Sequence, residues 1–215
     1  MTMKNRLPFI SVPDQKSVCI ICEGSEEFDY LERLNQLGVW DPSYKIIPVN
    51  ADGNGNIPAR YQDRYQNASD DVVLIFCDTE KKPYKQYEEI KEKVSAFHGI
   101  ENASEQVIIF TNPCALQIVL LHWMKVNLKT AAKKVNAPYV EKCTGVKNYK
   151  AKKEQREQVY ACVNAENFKD MLQRVEELST CETEVSSTNF RRYADYLLSK
   201  DSSWIYSIEE NLEEC

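Results

Sequence analysis

The sequence predicts an α/β fold with a mostly parallel four-stranded sheet, helices on its faces and a C-terminal helical extension. In the first half of the chain, short runs of β-branched and aromatic residues alternate with amphipathic stretches of helical length, as in βαβ units with right-handed crossovers. After residue 129 the strand pattern fades while helical periodicity continues. We therefore expect an α/β domain at 1–128 and a helical extension packed on it at 129–215, with one continuous domain as the alternative.

The elements of the first half follow from these runs. The four strands are expected at about 17–22, 45–50, 72–77 and 106–110. Helices are expected at about 26–38, 58–67 and 84–97, and an apolar helix after the fourth strand should reach about residue 128. Ser25 is the expected N-cap of the first helix, because its hydroxyl can accept from an unpaired backbone N–H.

Three helices are expected in the second half of the chain, at 154–162, 165–178 and 189–198. Ser186, Ser187 and Thr188 precede the last of them as candidate capping residues. The acidic tail at 207–215 is expected to fray.

Composition places the chain among globular proteins without a membrane span. Hydrophobic residues make up 43% and charged residues 28%, which fits a soluble globular protein. We expect it in the cytoplasm, because its cysteines suit reduced thiols. The first 13 residues are polar and include two prolines, unlike a secretory signal. The apolar stretch at 115–126 is interrupted by Gln117, His122 and Lys125 and is too short to cross a bilayer.

The chain has eight cysteines, which we expect to be reduced thiols, because no secretory signal is evident and several lie in predicted core strands. Cys19 and Cys22 have the spacing of a zinc or redox pair. Within a strand, however, this odd spacing directs the two side chains to opposite faces. The sequence therefore disfavours zinc.

Charge is distributed unevenly along the chain. Residues 125–156 contain ten Lys or Arg residues and two Glu residues, which gives this segment a net charge of +8. Because the whole chain has a net charge of −6, the other residues together carry about −14. Aromatic residues among lysines can stack on bases while the lysines bind phosphates, with a steep salt dependence. The alternative is a solvated helical face. The candidate nucleic-acid-binding residues are Lys147, Tyr149, Lys150, Lys152 and Lys153.

Acidic residues follow two of the predicted strands. Glu23 ends the first strand, and Asp78 and Glu80 follow the third. If these strands are parallel neighbours, their acids meet at the carboxyl edge of the sheet, where open α/β folds bind ligands. Alternation along an extended backbone would place Asp78 and Glu80 on one side. Carboxylates suit Mg²⁺, although acids after strands also commonly cap helices or remain solvated.

Two motifs, at 23–31 and 112–123, resemble a known family. A Glu-Gly turn after strand one and an Asp-x-Asp-like pair after strand three resemble the Toprim fold of topoisomerases, DnaG-type primases, OLD-family nucleases and RecR-like proteins. More narrowly, the chain is similar to the RloB-like branch, in which a Glu-Gly turn runs into Thr-Glu and an aromatic pair. In that branch an Asn-Pro-Cys-Phe-Glu helix ends in Leu-Leu-His-Phe.

The resemblance implies a Mg²⁺-dependent nuclease, with Mn²⁺ as a substitute ion, acting in bacterial anti-phage defence beside an ATPase partner. Glu23 matches the acid/base glutamate, and Asp78 and Glu80 match the metal-holding pair, so all three are candidate catalytic and metal-binding residues. Further motif positions have no assigned role; they are Glu27, Asn112 and His122.

This sequence departs from the branch at several positions. Glu80 replaces an aspartate and Glu26 a threonine, and Ala115-Leu116 replaces Phe-Glu, which removes an acid. His122 lies on an apolar helix, where a hydrogen-bonded core histidine is the plainer interpretation.

Several functions remain open from the sequence. The leading expectation is a nucleic-acid substrate, with RNA such as tRNA placed slightly ahead of DNA. The alternative is a catalytically degenerate Toprim module that binds nucleic acid or an ATPase without cutting. A third class is a phosphoacceptor or nucleotide-sensing domain, but the loop at 51–56 lacks a Walker lysine and the dinucleotide glycine spacing. The oligomeric state, including a homo-oligomer, is left open.

Overall fold

Five strands form one sheet in the computed structural model, which describes residues 15–80 and 83–213. The sheet order is β2-β1-β3-β4-β5; β1 to β4 are parallel to one another, and β5 is antiparallel to β4. The strands are β1 (Lys16–Cys22), β2 (Tyr44–Asn50), β3 (Val72–Asp78), β4 (Ile108–Asn112) and β5 (Ser187–Thr188). The prediction of a mostly parallel α/β sheet is confirmed, with one strand more than expected.

Ten α-helices flank the sheet in the described residues. They are α1 (Ser25–Leu37), α2 (Ile57–Asn67), α3 (Lys85–His98), α4 (Ala103–Val107), α5 (Leu116–Leu121), α6 (Lys133–Thr144), α7 (Lys153–Ala161), α8 (Ala165–Val175), α9 (Phe190–Leu198) and α10 (Ser203–Glu213). The N-cap of α1 is Gly24, one residue before the predicted Ser25. No helix of the described residues has the length and apolar character needed to cross a membrane.

The fifth strand, β5, was not predicted, because two residues are too few to show a period. The Thr188 hydroxyl donates to the Phe110 carbonyl oxygen at 2.6 Å. Beside it, the Asn189 side chain accepts from Phe110 N at 2.8 Å and donates to Ile108 O at 2.7 Å. The predicted capping segment therefore forms a strand of the sheet. Beyond the end of this strand, the Asn189 side chain takes over the hydrogen bonds to the β4 backbone.

The apolar helix after β4 is shorter than predicted and ends at Leu121. Buried Gln117 explains the early end: its Nε2 donates to Val126 O at 2.7 Å, and its Oε1 accepts from Leu128 N at 2.9 Å. The Gln117 side chain thus bonds to two backbone groups of the segment that follows the helix. That non-helical segment leads the chain to α6, which the sequence did not predict.

One apolar core runs from β1 to α10. Every residue of β3 is buried. Phe190, at the start of α9, packs against Phe76 of β3 and Tyr30 of α1, with ring centroids 5.9 and 6.2 Å apart. Residues on both sides of position 128 therefore share a core.

The C-terminal tail was predicted to fray, which is wrong for its described part. Residues 203–213 form α10, and Trp204, Ile205, Ile208 and Leu212 are buried. These apolar residues lie at helical spacing between the acids. The prediction of fraying rested on the acidic residues alone and did not take this apolar face into account.

Candidate active site

The acidic residues of the first and third strands meet at the carboxyl edge of the sheet. β1 and β3 are adjacent and parallel, with Cys22 opposite Phe76. The chain leaves both strands at the same edge, so Glu23 and Asp78 become neighbours. They line one cavity of about 320 Å³ together with Glu26, Glu27 and Glu80.

Glu23 is fixed by the strand beside it. Its backbone N–H donates to Phe76 O at 2.9 Å, and its Oε2 accepts from the backbone N–H of Asp78 at 2.8 Å. Burial, followed by the negative charge of Glu27, raises the Glu23 pKa to about 8. Glu23 can therefore exchange a proton near neutral pH.

Asp78 is the last residue of β3 and is almost fully buried. The Thr111 hydroxyl of β4 donates to its Oδ1 at 2.6 Å. Burial, and then the charges of Glu27 and Glu23, raise the Asp78 pKa well above its ordinary value. The neighbouring strand thus orients this carboxylate while the other acids oppose its ionisation.

Glu80 differs from the extended conformation we predicted. Its φ is 56°, in the left-handed region, and its side chain is exposed while Asp78 is buried. The argument from alternation is therefore wrong, because the strand has already ended at Asp78. Glu80 nevertheless lines the cavity with Glu23 and Asp78.

Glu27, a motif position without an assigned role, also belongs to the cavity. It is 3% exposed, and its Oε2 accepts from Gly24 N at 3.0 Å, closing the first turn of α1. Burial, and then the charge of Glu26, raise its pKa to about 7. Glu27 therefore caps α1 and adds negative charge to the cavity.

Sequence reasoning did not select Lys133, which lines the same cavity. Its ammonium pairs with Glu26, the residue that departs from the family motif. The other oxygen of Glu26, Oε1, accepts from the Tyr149 hydroxyl at 2.9 Å. The basic character of 125–156 was the available signal, but nothing in the spacing distinguished Lys133 from its nine basic neighbours.

The surface predicted to bind nucleic acid is only partly exposed. Four of its five side chains are on the surface: Lys147, Lys150, Lys152 and Lys153. Tyr149 is 0% exposed. The stacking role expected for Tyr149 is therefore wrong in this conformation, since its ring is in the core and its hydroxyl is bonded to Glu26.

Asn112 and His122 lie outside the cavity and hold the fold together. Asn112 Nδ2 donates to the Tyr84 hydroxyl at 3.0 Å and to Glu182 O at 2.9 Å. The His122 ring nitrogens lie 2.9 Å from the Tyr30 hydroxyl and 2.9 Å from Asn167 Oδ1. Burial lowers the His122 pKa to about 4, so this is a neutral core histidine.

The donor chemistry of the cavity fits a hard divalent cation. Glu23, Asp78 and Glu80 offer carboxylate oxygens, which Mg²⁺ prefers. Burial, and then the charges of neighbouring acids, raise the pKa values of Glu23 and Asp78. Within residues 15–80 and 83–213, however, no three acidic, histidine or cysteine side chains are already spaced to hold an ion. The cavity therefore suits Mg²⁺ in the type and location of its side chains, but these side chains are not yet spaced as ligands. The seven described cysteines are free thiols.

Comparisons with models of protein families, with curated proteins and with solved structures found no match to this chain. The functional interpretation consequently rests on the residues of the cavity and on the motifs that flank it.

Proposed function

We propose that this chain is a magnesium-dependent nuclease of the Toprim type, similar to RloB-like proteins. One observation carries the proposal: Glu23 and Asp78, from adjacent parallel strands, are held side by side in one cavity with raised pKa values. Burying like charges together is unfavourable unless a cation compensates them. Phosphodiester hydrolysis is a reaction that uses such a group of acids.

Glu23, Asp78 and Glu80 would hold the ion, with Mn²⁺ as a substitute for Mg²⁺. A bound Mg²⁺ supplies charge for the scissile phosphate and acidifies a water molecule. Among the chain's own groups, Asp78 N donates to Glu23 Oε2, and Oε1 has no hydrogen-bond partner in the described residues. The pKa of Glu23, about 8, suits it to take or give a proton near neutral pH. Thr111 keeps Asp78 oriented toward the cavity edge.

The proposed substrate is a nucleic acid, with RNA such as tRNA ahead of DNA. The exposed lysines Lys147, Lys150, Lys152 and Lys153 would contact its backbone. Action in the cytoplasm, in anti-phage defence and beside an ATPase, is part of the same proposal and comes from the resemblance to RloB-like proteins.

The second candidate function is a module that binds nucleic acid or an ATPase without cutting. Leu116, at 0% exposure, replaces the helix acid of the branch. The described residues also lack three ligand side chains already spaced for an ion. Both observations favour weak metal binding or none.

Incubation of the purified chain with total RNA and with plasmid DNA, in magnesium or in chelator, tests the proposal. The unaltered chain should cut one polymer only with magnesium, and Asp78→Asn with Glu80→Gln should lower the rate about 100-fold or more. Glu92→Gln is the matched control, because it exchanges an exposed acid on α3. It should cut normally.

A second readout does not depend on activity. Millimolar magnesium should raise the melting temperature of the unaltered chain and of Glu92→Gln, because a ligand that binds only the folded state stabilises it. It should not raise that of the doubly altered chain. If no polymer is cut and magnesium leaves all melting temperatures unchanged, the nuclease proposal is wrong and the binding module is favoured.

A further inference from the structure

Two cationic side chains of the described residues line the acidic cavity, and the protein holds Arg156 through more hydrogen bonds than Lys133. Arg156 Nε donates to Asp29 Oδ2 at 2.7 Å, and its Nη1 donates to Ala151 O at 2.6 Å. Lys133 carries three N–H donors, and within the described residues its ammonium bonds to Glu26 alone. Arg156 is thus held in place by Asp29 and Ala151, while Lys133 makes one such bond and has two N–H donors left for a further acceptor.

Lys133 is held at the cavity by contacts that converge on Glu26. Glu26 Oε1 accepts from the Tyr149 hydroxyl and its backbone oxygen from the Tyr160 hydroxyl, both at 2.9 Å. Lys133 begins α6 and Tyr160 lies in α7, so two helices of the second half meet the first turn of α1. Glu26 therefore fixes the direction of the ammonium as well as balancing its charge.

A cation beside the acids favours the entry of a phosphate into the cavity, and Lys133 is such a cation. Glu23, Glu27 and Asp78 repel a phosphodiester, which is itself an anion. Burial raises the pKa of all three acids, and the charge of Lys133 acts against that rise in each case. Lys133 is partly buried, where a charge is screened less than on the surface.

We infer that Lys133 binds a phosphate oxygen of the nucleic-acid strand at this cavity and that Glu26 is its positioning residue. The inference rests on the proposed function and deepens it, because it assigns the phosphate contact nearest the acids to Lys133. The exposed lysines at 147–153 then bind flanking phosphates.

The test uses the full chain in chelator, so that no strand is cut. Fluorescence anisotropy would measure binding of a labelled single-stranded RNA and of a DNA of the same sequence. Lys133→Gln should weaken binding tenfold or more. Its matched control is Lys134→Gln, which removes the same charge from the exposed neighbouring lysine and should weaken binding less than threefold. Lys133→Arg should restore binding, since it restores the cation.

Glu26→Gln separates phosphate binding from a structural role. If Lys133 binds phosphate, this variant should bind the strand as tightly as the unaltered chain or more tightly, because the glutamine amide oxygen can still accept from Lys133 while the competing negative charge is gone. If the pair only joins α6 to α1, Lys133→Gln and Glu26→Gln should lower the urea midpoint equally and change binding equally. That equality would overturn the inference.

The same experiment separates the two levels of the proposal. Strong binding by the unaltered chain with equal binding by Lys133→Gln would overturn the inference and leave the nuclease proposal standing. Failure of the unaltered chain to bind either strand overturns the phosphate contact. If that chain also cuts no polymer, the proposed function fails with it.

Discussion

At the residue scale, Glu27 shows how one side chain serves structure and site together. Its carboxylate accepts from Gly24 N and so completes the first turn of α1, where a negative charge is favoured by the helix terminus. The same carboxylate is 3% exposed and contributes to the raised pKa of both Glu23 and Asp78. The helix terminus thus concentrates negative charge in the cavity at a cost in stability.

This cost predicts a pH dependence. The Glu27 pKa is about 7 in the folded chain and about 4.5 when unfolded, so the folded state holds the proton more tightly. The free energy of unfolding should therefore fall as pH rises from about 4.5 to 7, by about 2–3 kcal/mol for this group. Urea unfolding at pH 5, 6, 7 and 8 in chelator measures it.

Glu27→Gln keeps an acceptor for Gly24 N but cannot ionise, so its unfolding free energy should decline less with pH. The control is Glu210→Gln at an exposed position, which should keep the decline of the unaltered chain. An equally steep decline in Glu27→Gln would show that this carboxylate is not the source.

At the element scale, α10 packs on the core although its sequence is rich in acidic residues. Trp204 Nε1 donates to the Tyr44 hydroxyl at 2.9 Å, which itself donates to Asp201 O at 2.8 Å. The Trp204 ring stacks on Tyr196 of α9, with centroids 5.0 Å apart. The acids of this helix face solvent while its apolar face closes the core.

Truncation of this apolar face should therefore be costly. Ile208→Ala should lower the free energy of unfolding by about 2–4 kcal/mol, because it leaves a cavity at a position 2% exposed. Glu209→Ala, the exposed neighbour, should change it by less than about 0.5 kcal/mol. Chemical denaturation measures both, and similar small losses would mean that α10 is not docked.

At the scale of the whole molecule, the two halves of the chain share one core. Trp40, which follows α1, packs edge-on against Phe168 of α8, with ring centroids 5.6 Å apart. The Arg33 guanidinium of α1 donates to Val163 O at 2.8 Å. Such contacts between distant segments favour a single cooperative unit.

A variant with Trp40 as its only tryptophan, made by Trp123→Phe and Trp204→Phe, tests this cooperativity. Its fluorescence and far-UV circular dichroism should unfold at the same urea midpoint. Adding Ile208→Ala in α10 should lower both midpoints equally. A Trp40 midpoint that stays in place while the helical signal shifts would instead support a boundary near 128.

The sequence by itself determined the alternation of strands and helices and the place of the acids. Hydrophobic periodicity and turn residues act over a few positions, so β1, β3 and α1 lie within a residue or two of their predicted limits. Because β1 and β3 are parallel, the acids that follow them had to reach one edge. Glu23 and Asp78 were therefore identifiable without the tertiary structure.

Only the tertiary structure decided which other groups complete the cavity. Lys133 and Glu26 are 107 positions apart, and Tyr149 and Glu26 are 123 positions apart. No local pattern specifies such a pairing, since it depends on how α6 and α7 pack against α1. The same holds for β5, whose two residues join the sheet through contacts with Phe110 and Ile108. Local periodicity therefore predicts where the acids lie, whereas long-range packing brings Lys133 to them.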